Sequence, residues 1–155
     1  PVVSPEDSRF LAPGDMTPRI AAACCDAGQV PPASKGEFLR CALESLALEY
    51  RWVAERLDEL TGKRLGTIHI IGGGAQNELL DQLAADATGR TVVTGPIEAT
   101  ALGNVLVQAK ALGHIGSMAE GREVVKASFD LKIFEPHDTA RWDDVFTAYL
   151  KIREG

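Results

Sequence analysis

A chain of 155 residues, 45% of them apolar and 25% charged, is one domain's worth of protein and can bury a sizeable core. Its 16 Lys and Arg against 22 Asp and Glu give a net charge of -6, mixed along the chain rather than gathered in blocks, which argues against nucleic acid and anionic membrane as partners. No apolar run approaches the ~20 residues of a membrane span and no secretory signal is visible, so a cytoplasmic protein is expected.

Taken in order, residues 1–13 are rich in Pro, Ser and Asp and read as an extended lead-in anchored by Phe10 and Leu11. A start at Pro1 rather than Met suggests a piece of something longer. Asp15 or Thr17, with Pro18 at a first helical position, opens a helix that runs through Ile20 to Ala27 and closes at Gly28. After the Val30, Pro31, Pro32 turn, Ser34 and Glu37 form an S-x-x-E capping box for the longest helix, which reaches about Leu60 with Gly62 past its end. Phe38, Leu39, Leu43, Leu46, Ala47, Tyr50, Val53, Ala54 and Leu57 are its apolar positions. Arg40, Glu44 and Glu49 read as a solvated face. Cys24, Cys25 and Cys41 have no metal-ligand spacing, and a reducing setting is the default. Folding the two helices into a hairpin makes Cys24 and Cys41 neighbours, as buried thiols in preference to a disulfide, with Cys25 facing elsewhere.

The β-branched run 67–71 then stops at Gly72, Gly73 and Gly74. Beyond Ala75, Gln76 and Asn77, the residues Leu79, Leu80, Leu83, Ala84 and Ala87 recur with helical spacing, and Gly89 stands where a left-handed helix end is wanted. Strand, glycine turn and helix follow one another. Such glycines either make a tight turn or let a backbone approach something flat or anionic, and spacing alone leaves both readings open. The pattern is neither G-x-G-x-x-G nor a P-loop, since no Lys-Ser/Thr pair follows. Asn77 either caps the helix or meets a ligand. His69 reads as structural.

Residues 91–94 form a second short strand, and Gly95 and Pro96 turn the chain into a helix over 97–109 with Gly103 in its interior. An interior glycine costs ~1 kcal/mol against Ala, so a close-packed Ala99/Gly103 face is expected. Residues 117–127 read as a helix interrupted at Gly121, 129–134 as extended, and 136–152 as an amphipathic helix carrying Trp142, Val145, Phe146, Tyr149 and Leu150.

The stretch from Gly72 to Asn77, with Ala85, Asp86 and Gly89, closely resembles the adenosine motif of the FGGY family of carbohydrate kinases, part of the actin-like ATPase superfamily. Glu98, Ala99, Thr100, Ala101, Leu102 and Gly103 resemble that family's E-x-T-A-L-G connecting helix. The residues 104–108 and 40–48 look like the branch that acts on L-rhamnulose. The resemblance implies an ATP-dependent kinase that phosphorylates the 1-hydroxyl of L-rhamnulose with Mg2+ bridging the phosphates. Gly72, Gly73, Gly74, Ala75 and Asn77 are the implied cofactor-binding residues. It implies an α/β, ribonuclease-H-like second domain, of which residues 1–155 are the C-terminal part of the nucleotide-binding domain. That domain's full sheet has five strands, of which this chain shows two convincing parallel ones. The hairpin strands are expected before Pro1, and the open edge is then covered by helices, by self-association or by another chain. Phosphoryl transfer also needs phosphate loops, a metal-holding carboxylate and a base, and no D-x-G-[ST] turn is present. No catalytic residue and no metal ligand is therefore assigned to this chain. Asp86, Glu98 and Asp130 read better as helix-end, connecting-helix and solvated residues than as a base. A kinase for fuculose, xylulose or glycerol, or a non-catalytic binding module, are the alternatives.

Overall fold

A computed structural model describes residues 1–154. Helix α1 (Met16–Asp26) starts where the Asp15 side chain accepts the Thr17 N–H at 3.3 Å, which places Pro18 at its third position rather than its first. Helix α2 (Lys35–Thr61) carries both halves of the expected capping box, and Gly62 ends it in the left-handed region at φ 66°. The face that α2 buries holds Cys41, Ser45, Ala47, Leu48 and Ala54. Leu39, Val53 and Leu57, expected on that face, are exposed.

Strand β1 (Thr67–Ile70) lies parallel to β2 (Thr91–Thr94) in the register Thr67 opposite Thr91, and α3 (Glu78–Thr88) is the crossover between them. The third strand, β3 (Ile133–Phe134), runs antiparallel on the other side of β2, with Phe134 opposite Val92. The two expected parallel strands are present, and the extended residues 129–134 add a third by returning to the sheet. The strand order is β1-β2-β3, so β2 is central and Val92 is fully buried. Among the described residues β1 pairs with β2 alone, and its outer edge is open.

The core has α3 at its centre. Leu83 and Ala87 face α2 and the terminal helix α6 (Thr139–Glu154), while Ala84 and Ala85 face Val92. Leu79 turns out to solvent instead of joining them. Helix α6 contributes Trp142, Phe146 and Tyr149 to a cluster that also contains Val2, Ala47 and Leu48. The Tyr149 hydroxyl donates to Glu49, and Arg153 donates to the same carboxylate while its guanidinium lies over the Trp52 ring at 3.4 Å. Glu49 is therefore a docking residue for α6 and not part of a solvated face.

The N-terminal anchors are also corrected. Val2 and Val3 are buried, the Val3 N–H donating to Ser45 Oγ at 2.9 Å, whereas Phe10 is half-buried and Leu11 exposed. Val3, Ala23, Cys24 and Cys41 form a second cluster. Cys24 and Cys41 are free, buried thiols of that one cluster, and Cys25 is exposed.

Helix α4 (Ala99–Ala111) buries none of its residues in this chain, and a Cβ on Gly103 would meet nothing within 4 Å. The close-packed glycine is Gly121 instead, in the continuous helix α5 (Met118–Ser128). A Cβ there would lie 3.1 Å from both Leu106 Cδ2 and Ile115 Cδ1. The expected interruption of α5 at Gly121 is absent because the missing side chain makes room for α4 without bending the backbone. No helix among the described residues is long and apolar enough to cross a membrane.

Candidate nucleotide-binding site

The glycines after β1 form one turn of 3-10 helix over Gly72–Gln76. Gly72 enters it at φ 76°, a conformation that an L side chain resists. The turn is sewn to the exit of β2: Gly72 N–H donates to Pro96 O at 3.3 Å, and Gly95 N–H donates to Ile70 O at 2.7 Å. A side chain on Gly95 would strike Ile71 Cγ2 at 2.7 Å, so this approach also requires glycine. Gly73 differs. It is exposed, and a Cβ on it would meet no atom within 4 Å. The turn therefore presents bare backbone to an open side.

Asn77 joins the turn to α3. Its N–H donates to Gly74 O at 3.1 Å, its side-chain oxygen accepts Leu80 N–H at 3.2 Å, and its carbonyl accepts Asp81 N–H at 3.0 Å. The capping role is thus realised. Beside the turn lies a cavity of about 360 Å³ lined by Ala75, Gln76, Glu78, Thr94, Phe129 and Lys132. Lys132 pairs with Glu78 across it, an attachment that raises the proton affinity of the ammonium. Of Gly72, Gly73, Gly74, Ala75 and Asn77, only Ala75 lines this cavity; the others belong to the turn and its exit into α3 beside it.

The three carboxylates set aside as bases are dispersed. Asp86 accepts from Gln82 Nε2 and from His137 N–H, holding down the chain ahead of α6. The Glu98 side chain makes no cap bond to α4, while its carbonyl accepts Leu102 N–H at 3.0 Å, and Asp130 is an exposed residue on the cavity wall. His69 is exposed on β1.

Sequence reasoning missed Lys132 and Asp81. Nothing local marks Lys132, which arrives with the third strand. Asp81 had a readable signal, a charge directly after Leu80 on the helix's apolar side. Its carboxyl is fully buried with neither oxygen hydrogen-bonded, and burial, reinforced by Glu78, pushes its pKa up against the pull of Lys132.

The chain superposes on a gluconate kinase from Lactobacillus acidophilus with a TM-score of 0.65 at 22% identity, covering 78% of this chain and 24% of that one. A ligand-bound xylulose kinase from the same organism gives the same figures, 0.65 and 22%. The chain shares its fold with the corresponding quarter of these two kinases. Residues 1–112 match the FGGY family of carbohydrate kinases, C-terminal domain, and the chain belongs to that family. Among its curated relatives, a rhamnulokinase from Bacteroides thetaiotaomicron is 43% identical over 152 residues, 98% of this chain and 31% of the relative. A rhamnulokinase from Enterobacter sp. (strain 638) is 44% identical over 136 residues, 88% of this chain and 28% of the relative. The chain spans less than a third of the length of these relatives.

Proposed function

We propose that the parent of this chain is a cytoplasmic ATP-dependent kinase that transfers the γ-phosphoryl group to the 1-hydroxyl of L-rhamnulose, and that residues 1–155 are the C-terminal part of its nucleotide-binding domain. The 43% identity to a rhamnulokinase across 98% of the chain carries this reading. The open face of the glycine turn supports it. A flat adenine needs backbone without side chains beside it, and Gly73 offers that with nothing within 4 Å of its missing Cβ. Gly72, Gly74 and Ala75 complete the wall, and Asn77 holds it to α3.

Mg2+ would neutralise the phosphates as the bond to the leaving oxygen breaks. Among the described residues no group of three or more His, Cys, Asp or Glu is placed to hold a metal. On this reading the metal's protein ligand, the phosphate loops and the base for the sugar hydroxyl belong to the part of the parent outside this chain, whose sequence holds no D-x-G-[ST] turn. The strands that cover the outer edge of β1 are assigned there as well, and without them that edge is a surface for self-association.

Two measurements test the proposal in the full-length parent. Among L-rhamnulose, L-fuculose, D-xylulose and glycerol, ATP-dependent phosphorylation should favour L-rhamnulose; preference for another of the four overturns the sugar assignment. Gly73→Val should raise the KM for ATP and leave the KM for the sugar nearly unchanged. Unaltered ATP kinetics would show Gly72, Gly73 and Gly74 to be only a turn.

A further inference from the structure

We infer that Asp81 is a positioning residue for the glycine turn, whose carboxyl keeps the first turn of α3 seated only while it carries a proton, so that the parent's hold on nucleotide weakens as that carboxyl ionises. The inference rests on the adenosine site proposed above. Its basis is geometric: Asp81 is fully buried and both side-chain oxygens lack a hydrogen-bond partner. Burying a neutral carboxyl without a partner is unfavourable, and burying a carboxylate that way is far more so. Two charged groups act on it. Glu78, three residues earlier on the same helix, opposes a second negative charge, and Lys132, on the approach to β3, favours one.

The route to the nucleotide turn is a short run of backbone hydrogen bonds. Asp81 N–H donates to Asn77 O at 3.0 Å, and Asn77 N–H donates to Gly74 O at 3.1 Å. An ionised Asp81 has two sources of relief, water and the Lys132 ammonium. The Lys132 ammonium is held by Glu78 in an exposed pair, which is weak and can be exchanged. Lys132's backbone is fixed, with its carbonyl accepting Thr94 N–H at 2.9 Å and its N–H donating to Thr94 Oγ1 at 3.3 Å. Whichever relief it takes, an ionised Asp81 is drawn out of the core toward water or the Lys132 ammonium, and that pull falls on the first turn of α3 and its bond to Asn77. Gly74 is the next link.

The test uses the full-length parent as wild type, Asp81→Asn and Asp81→Leu, neither variant having a proton to lose at this position. ATP dissociation constants are measured from about pH 5 to about pH 8, a window above the ordinary aspartate range. Wild-type affinity should fall several-fold across it, while both variants stay nearly flat, and in turnover the change should lie in the KM for ATP rather than in kcat. Parallel pH profiles in all three proteins overturn the inference. Thermal melts without nucleotide judge Asp81 separately. Its raised pKa means that stability present below the ordinary value of 3.8 is lost as pH rises through the raised one, so Asp81→Asn should gain on wild type with rising pH. A gap that closes with rising pH, or does not change, refutes it. Gly73→Val is the control: if that variant binds ATP normally the adenosine site is misplaced, whatever the melts say of Asp81.

Discussion

Single residues show how burial decides chemistry in this chain. Cys24 and Cys41 sit in one apolar cluster, and burial pushes both thiols up, Cys41 to about 12. A thiol that stays protonated is neither nucleophile nor metal ligand. Cys25 is next to Cys24 in sequence but faces out of α1. Brief iodoacetamide treatment of the native protein near neutral pH should therefore label Cys25 and spare the other two, while denaturant exposes all three. Native labelling of Cys41 at the rate of Cys25 would contradict the buried pair. The pairing was legible because α1 and α2 are joined by a short Pro-rich turn, which leaves a helix hairpin little freedom. The lead-in was not: Leu11 is the larger apolar residue, yet Val2 and Val3 take the core positions because the Val3 N–H finds Ser45. Only tertiary contact decides between such candidates.

At the level of elements, helix ends were the most readable feature, because a cap is a local event. Asp15, Ser34, Asn77 and Ser117 each accept a backbone N–H at a helix start, and Gly62 and Gly89 close helices in the left-handed region. The third strand was hidden since Ile133–Phe134 is two residues long and pairs with a strand some forty positions away. The two helix glycines were misread for the same reason: which one meets a neighbour depends on how α4 and α5 cross. In this chain Gly103→Ala should raise the melting temperature, helix propensity contributing up to ~1 kcal/mol. Gly121→Leu should lower it, at a typical overpacking cost of ~1–3 kcal/mol. Melts shifting in the opposite senses would reverse the assignment of α4–α5 packing. A second fastening joins α2 to the sheet. Asp58 accepts Leu65 N–H at 2.9 Å and both terminal nitrogens of the buried Arg90, at 3.2 and 2.7 Å. The Leu65 N–H first, and then Arg90, hold the Asp58 carboxyl below its ordinary value of 3.8. Stability from a lowered carboxyl is present above that value and lost as pH falls through the depressed one. Asp58→Asn should accordingly melt below wild type at neutral pH, and the difference should shrink under acid. A constant difference would mean that the charge is not what matters.

For the molecule as a whole, the part of the site readable from sequence was the part carried by backbone. Three adjacent glycines and a capping asparagine announce themselves, whereas Asp81 and Lys132 acquire their meaning only when α3 meets β3. The same limit applies to activity. This chain alone is expected to release no ADP from ATP in the presence of L-rhamnulose in a coupled assay, because phosphate loops and base are assigned elsewhere in the parent; measurable turnover would refute that assignment. The cluster that unites Val2 with Trp142, Phe146 and Tyr149 has a further consequence, for the order of events in folding. Residues near opposite ends of the chain must meet before that core exists, and closing so long a loop is entropically unfavourable until other contacts have shortened it. The glycine turn with its flanking strand and helix is local and can form early. On a ribosome, the glycine turn of the proposed nucleotide site would thus be shaped while Leu48 and Leu83 still lack their partners, and the emergence of α6 would be the step that seals them from water.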